Sequence, residues 1–446
     1  MFNPGQLQNM DSARFKRYRE MLSFYQGNQW QGKANRREKR LTFNYARVIV
    51  DKLTSYLMNG LSVQVVAPPG GEREEANEAD VALKQISVEN NLDLLDYETE
   101  VDTAILGDGC YKVTWDRTGK RVNVSSPDIQ GIYVWWCGDD TSRIQQVASC
   151  YLLEEAEIRR LYPGMTFRNE PVFTEVWTEK HFEMWAGEKL VSRRTNPYGF
   201  IPFVIFPNLR APKSFWGAGD IEAITEPQRE LNRAMSQLSH ILELSGNPIA
   251  VLENVERAED IAVRPGAVWT LPEDARAYLL DLLQGGGVDL HLGYIEMLYR
   301  VLHDTAESPR AAFGGTARDL SGVALEVELQ PLLHKVWRKR LIRTAVYRKR
   351  ARMMLKLLEK YSGKDYSHLN IEVDWRPVLP RDFSRVVEDE EKLIQSGVHS
   401  RKRAMTVLGV ESPDEEFNEW LNERREILAM NKEMNSKAKT NFNKEK

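Results

Sequence analysis

The chain has 446 residues, 42% apolar and 28% charged, with a formal net charge of −4. That composition is ordinary for a folded soluble protein with room for roughly two to four domain cores. Three cysteines (Cys110, Cys137, Cys150) without CxxC spacing argue against a disulfide scaffold or zinc knuckle and for a reducing cytoplasm. No apolar run of roughly eighteen residues occurs, and the N-terminal residues lack a basic segment followed by an apolar one. Neither a membrane helix nor a secretory signal is therefore expected.

In chain order, residues 11–26 read as a helix capped by Asp11 or Ser12, with Phe15, Tyr18, Met21, Leu22 and Tyr25 on one side. A second helix is expected from Phe43 to Leu53, ending near Asn59-Gly60, and the acidic segment from Pro68 to Asp80 reads as an exposed loop. From Gly109 to Phe206 the period changes to short β-rich runs: Cys110–Trp115, Arg121–Val124, Ile132–Trp136, Gln146–Leu152, Phe173–Trp177, His181–Trp185 and Phe203–Phe206.

Helices then return. Thr225-Glu226-Pro227-Gln228 has the form of a helix start, and Leu231, Met235, Leu238 and Leu242 follow as a narrow apolar stripe. Residues 248–284 alternate runs and turns as a compact insert, closed by Gly285-Gly286-Gly287. A second striped helix carries Leu290, Tyr294, Met297 and Val301 and ends before Ser308-Pro309. A glycine-flanked loop, Gly314 to Gly322, leads into a long helix that Ser362-Gly363 should stop; Pro331 predicts a kink inside it. Beyond it come a β run (Ile371–Trp375), helices from Asp382, a last helical unit from Ser400, and a Lys/Asn-rich tail from Asn431 expected to be frayed.

The charge is segregated. Ten of the twenty-two residues from Lys335 to Lys356 are Lys or Arg and none is acidic, whereas Glu72–Asp80, Glu388–Glu391 and Glu411–Glu426 are acidic. The ten cations do not form one stripe, and Val336, Trp337, Ile342, Val346 and Leu355 are interleaved with them. That mixing points to a helix enclosed by protein, its cations paired with acidic groups of neighbouring subunits, rather than a helix laid on DNA.

Catalytic motifs are missing. There is no P-loop pattern and no HExxH, and the seven histidines are scattered. Gly217-Ala218-Gly219 has Glu222 in place of a third glycine and reads as a turn that starts a helix. Asp102 and Asp108, beside Gly107 and Gly109, read as a helix-to-strand turn rather than a metal pair. No catalytic, metal or cofactor site is expected.

Several segments together resemble the portal proteins of tailed bacteriophages, in particular the Gp6-like branch. They are Phe43-Asn44-Tyr45-Ala46-Arg47-Val48-Ile49-Val50-Asp51, Tyr56-Leu57-Met58-Asn59-Gly60, Gly107-Asp108-Gly109-Cys110-Tyr111-Lys112-Val113, Asn196-Pro197-Tyr198-Gly199-Phe200-Ile201-Pro202, Gly219-Asp220-Ile221, Ser321-Gly322-Val323-Ala324-Leu325 and Ser400-Arg401-Lys402-Arg403. The resemblance implies an α+β portal fold: an N-terminal arm (1–24), a wing (25–218 and 323–395), two stem helices (219–246 and 288–308), a small β-containing clip (247–287), a tunnel-loop region (309–322) and a short helical crown with a disordered tail (396–446). It implies a non-enzymatic homo-oligomer, a ring of about twelve copies, assembled in the host cytoplasm and seated at a capsid vertex of the virion. Double-stranded DNA would be packaged and ejected through it, and terminase, head–tail adaptor, capsid and scaffolding proteins would dock on it, with no membrane involved. Thr316, Arg318, Asp319, Leu320 and Val323 would lie at the channel, and Lys335, Arg338, Arg343, Arg348 and Arg352 at subunit contacts or near DNA. A nucleic-acid enzyme and a scaffold or minor head protein that forms no channel are the competing readings.

Overall fold

The computed structural model describes residues 3–7, 9–34, 38–162, 171–246, 249–254, 274–280, 287–314, 322–379, 383–410 and 412–442. They fall into two compact units, Met1–Arg376 and Pro377–Lys446.

The first unit begins with helices. Helix α1 (Ser12–Tyr25) buries Phe15, Tyr18 and Phe24. Helix α2 (Tyr45–Leu57) starts where the Asn44 side chain accepts from the Arg47 N–H, and it buries Ala46, Ile49, Val50, Leu53 and Leu57 at helical spacing. After strand β1 (Leu61–Val66) comes helix α3 (Arg73–Glu89), which corrects the loop expected from Pro68 to Asp80. The acidic residues misled that reading. Glu74 and Glu75 occupy the first helical turn, where the helix dipole favours them, and Ala76, Ala79, Leu83 and Ile86 form the buried stripe. Helix α4 (Leu92–Leu106) ends on Gly107 at φ 97°, where a Cβ would stand 2.9 Å from the Gly219 nitrogen.

Strands follow as expected, with additions. They are β2 (Asp108–Asp116), β3 (Arg121–Ser125), β4 (Ile132–Cys137), β5 (Asp140–Leu152), then short helix α5 (Glu155–Leu161), β6 (Val172–Thr178), β7 (His181–Ala186), β8 (Lys189–Thr195), β9 (Phe203–Pro207), β10 (Leu209–Arg210) and β11 (Gly217–Ala218). Two antiparallel sheets result, ordered β3-β2-β9 and β4-β5-β6-β7-β8, with β10 and β11 as a small separate pair. Cross-strand neighbours Trp177 and Phe182 hold ring centroids 4.4 Å apart on the larger sheet. Its edge strand β8 is mostly exposed and carries Lys189, Arg193 and Arg194, which discourage edge-to-edge pairing.

Helices α6 (Thr225–Gly246) and α7 (Gly287–Thr305) pack on each other, and Tyr294 donates to Glu230 at 3.0 Å. Between them in sequence, β12 (Ile249–Glu253) pairs antiparallel with β13 (Arg276–Leu280). The expected runs at Ala262-Val263 and Val268-Trp269 lie outside the described residues. Helix α8 (Gly322–Glu328) gives way at Leu329 to helix α9 (Gln330–Ser362). The break stands where Pro331, without an N–H, cannot bond the Val327 carbonyl. Gly363 closes α9 at φ 78°. Strand β14 (Asn370–Trp375) returns to pair antiparallel with β1. One buried apolar cluster joins α1 and α2 to the five-stranded sheet and the base of α6 and α7. A second lies between α3, the three-stranded sheet, α9 and β14.

The second unit is helical: α10 (Phe383–Gln395), α11 (Arg401–Val407), capped by Ser400, and α12 (Pro413–Phe442). Glu390 is buried and meets His399 at 2.8 Å. Where the tail is expected to fray from Asn431, α12 continues to Phe442 instead, as the Lys, Met, Ala and Glu content there permits.

Candidate functional site

Four cations of α9 lie on its buried side. Lys335 and Lys339 share one carboxylate, Asp220, at 2.9 and 2.8 Å, and Asp220 also accepts from Asn208 at 3.1 Å. Arg343 makes a two-pronged pair with Glu100 at 2.5 and 2.8 Å and donates to the carbonyls of Pro207 and Asn208. Arg350 makes a similar pair with Asp96. All seven side chains are at least nine-tenths buried. Charges so deep are tolerated only when paired and hydrogen-bonded. Burial pushes the Asp220 carboxyl up, but the two ammonium groups outweigh it and hold it well below the usual carboxylate range.

Several other cations of the helix grip backbone. Arg340 donates to the carbonyls of Leu57, Asn59 and Arg376 at 3.2, 3.1 and 2.7 Å, placing positive charge at the C-terminal, partly negative end of α2. Arg348 donates Nε to the Ile371 carbonyl at 3.3 Å, and Arg352 donates to those of Tyr366 and Leu369 at 3.1 and 2.5 Å. Arg338 is half-exposed and pairs with Glu307 at 2.7 and 2.5 Å.

For Lys335 and Arg343 these contacts correct the expected pairing across subunits. Lys335, Arg338, Arg343, Arg348 and Arg352 all have partners in their own chain, and Lys335 and Arg343 are buried away from any surface. The reason is local supply: α4 turns Asp96 and Glu100 toward α9, and the segment before α6 supplies Asp220. Protein encloses the inner side of the helix, as expected, while Trp337, Leu341, Ala345 and Arg348 stay exposed; the source of the acidic groups on the inner side is not as expected. Lys339, Arg340 and Arg350, and the three carboxylates, were absent from the expected set. Asp96 and Glu100 stand four residues apart on one face of α4, and that spacing was the available signal.

Lys335 does more than pair with Asp220. Its ammonium also donates to the Ala306 carbonyl at 2.9 Å, just past the end of α7. Asp220 lies just before α6, so one turn of α9 fastens the bases of both helices. Nearby, His303 Nδ1 lies 2.6 Å from the Ser308 carbonyl and its ring packs on Phe313. The chain then reaches Gly314 at φ 83°. Thr316, Arg318, Asp319 and Leu320 lie outside the described residues. Val323 falls in the first turn of α8.

The turn read at Gly107–Gly109 is confirmed as helix-to-strand, and Asp108 knits it to two other segments. Its carboxylate accepts from Tyr18 Oη at 2.6 Å and from the Gly217 N–H at 2.7 Å, with Arg17 at 3.7 Å. Burial raises its carboxyl to about 6 despite these partners. Arg14 lies 3.6 Å over the Trp216 ring, fixing α1 to the same segment. Among the described residues no group of three His, Cys, Asp or Glu side chains is placed to hold a metal ion, and no helix is long and apolar enough to cross a membrane.

Helix α7 shows two faces. Leu298 and Leu302 are buried, whereas the predicted seam of Leu290, Tyr294, Met297 and Val301 is exposed along its whole length, Leu290 by 77%. On α6 the stripe passes from buried Leu231 to exposed Leu242. Such a row of large apolar groups is costly in water unless another surface covers it.

A family model described as phage portal protein, SPP1 Gp6-like, matches residues 5–429. No curated protein matches the chain.

Proposed function

The chain belongs to the Gp6-like family of phage portal proteins, and on that premise we propose that its copies close into a ring of about twelve around a DNA channel. The ring sits at a capsid vertex, DNA is packaged and ejected through it, and the protein itself is non-catalytic. Terminase drives packaging; head–tail adaptor, capsid and scaffolding proteins dock on the ring. In this reading residues 25–218 and 323–395 are the wing, 219–246 and 288–308 the stem helices, 247–287 the clip, 309–322 the tunnel-loop region and 396–446 the crown.

The observation that carries the proposal is the uncovered seam of α7. Leu290, Tyr294, Met297 and Val301 repeat at helical spacing, and each stays at least 38% exposed. A neighbouring copy presenting the same pair of helices covers them, and repeating that contact closes a ring. The burial of four cations on the inner side of the basic helix supports the same reading. A conduit must let DNA slide, and a dense cationic surface would hold phosphates instead. With Lys335, Lys339, Arg343 and Arg350 withdrawn into the wing, the short loop before α8 is left as the segment to meet DNA, through Thr316, Arg318, Asp319, Leu320 and Val323.

Native mass spectrometry combined with electron-microscope top views of the purified protein tests this. The expected result is a closed ring of about twelve subunits with a central hole. A monomer or an open filament overturns it.

A further inference from the structure

The paired inner faces of α4 and α9 fix where their outer faces point. At about 100° per residue, a side chain two positions from an inward one emerges on the far side of its helix. On α9 the inward residues Lys339, Arg343 and Arg350 therefore set Trp337, Leu341, Ala345 and Arg348 on the opposite side. All four are exposed, Trp337 by 60% and Leu341 by 54%. On α4, inward Asp96 and Glu100 likewise set Leu94, Glu98 and Asp102 outward, flanked by exposed Tyr97 and half-buried Val101. Leu94 is 59% exposed.

Because the inner faces meet each other through Arg343–Glu100 and Arg350–Asp96, the two outer faces look away in opposing directions. They also differ in sign. The α9 face carries Arg348 beside its apolar row; the α4 face carries Glu98 and Asp102. The latter two repel one another, and Asp128 adds to this: burial first, then Asp128 and Glu98, raise the Asp102 carboxyl. Among the described residues neither Glu98 nor Asp102 has a cationic partner.

We propose that the outer face of α9 in one subunit seats on the outer face of α4 in a second copy, Trp337 and Leu341 against Leu94, Tyr97 and Val101, and Arg348 against Glu98 and Asp102. Two different, complementary surfaces on opposite sides of one layer make a head-to-tail contact, the kind that propagates around a ring instead of stopping at a dimer. The proposal rests on the ring reading and names a wing contact distinct from the stem seam.

The test uses the full chain with Cys137 and Cys150 replaced by Ala. Leu94→Cys and Leu341→Cys together, under a mild oxidant, should give a ladder of covalent multimers, and either substitution alone should give none. Separately, Glu98→Lys should raise the concentration at which rings fall apart by about tenfold, as like charges in contact do at an interface. Adding Arg348→Glu should reverse most of that loss. Intact rings with no ladder, or no recovery in the charge swap, overturn the contact while leaving the ring reading in place. Wild-type protein that forms no ring at all overturns both.

Discussion

Arg343→Ala should destabilise the protein by roughly 3–5 kcal/mol, the loss expected when one partner of a buried ion pair is removed. The substitution leaves Glu100 charged and fully buried, and it strips donors from the carbonyls of Pro207 and Asn208. Against a total stability of about 5–15 kcal/mol, that is enough to leave much of the chain unfolded or aggregated. Denaturant unfolding followed by tryptophan fluorescence measures it. Arg343→Lys should fall between, because an ammonium keeps the charge but loses the planar fork that meets Glu100 twice. Arg343→Met combined with Glu100→Leu should recover most of the loss, since it removes both charges together. An Arg343→Ala protein as stable as wild type would mean that the pair does not form.

Asp220→Ala should be comparably severe and reach further. It leaves Lys335 and Lys339 buried with no carboxylate, and burial already works against the charge on Lys339. It also frees the segment ahead of α6, one of the two helix bases that this turn of α9 fastens. Roughly 3–5 kcal/mol should again be lost, and hydrogen exchange should speed up around residues 217–225 and 303–310 before the rest of the wing. Adding Lys339→Met should return part of the stability, because Lys335 keeps its bond to the Ala306 carbonyl. The acid response carries the same sign. The Asp220 carboxyl is held below its unfolded value, so its contribution is complete above about pH 4 and fades as pH falls through the folded value. Acid unfolding of Asp220→Ala should therefore be less steep than that of wild type. Unchanged steepness would remove Asp220 from the account.

What was legible in the sequence was local. Glycines at 107, 314 and 363 and Pro331 mark ends and breaks of helices because their backbone constraints act within a turn. The alternation from Cys110 to Phe206 marks strands because one face of each sheet is buried. Helix α3 was missed because an acidic stretch looks like solvated loop until its Ala and Leu residues find a core, and the pairing of β1 with β14 joins opposite ends of the first unit. The charge partners were hidden for the same reason. Lys339 meets Asp220 across 119 positions, Arg343 meets Glu100 across 243 and Arg350 meets Asp96 across 254. Composition announced a basic helix and acidic groups; only the fold says that one chain supplies both.

Brief amine acetylation of the native protein, mapped residue by residue with mass spectrometry, asks directly whether the paired side of the basic helix is interior. Lys335 and Lys339 should stay unmodified until the protein unfolds, while exposed Lys356 and Lys360 on the same helix react at once. Equal labelling of all four in the folded protein would place the cations at the surface and contradict the account.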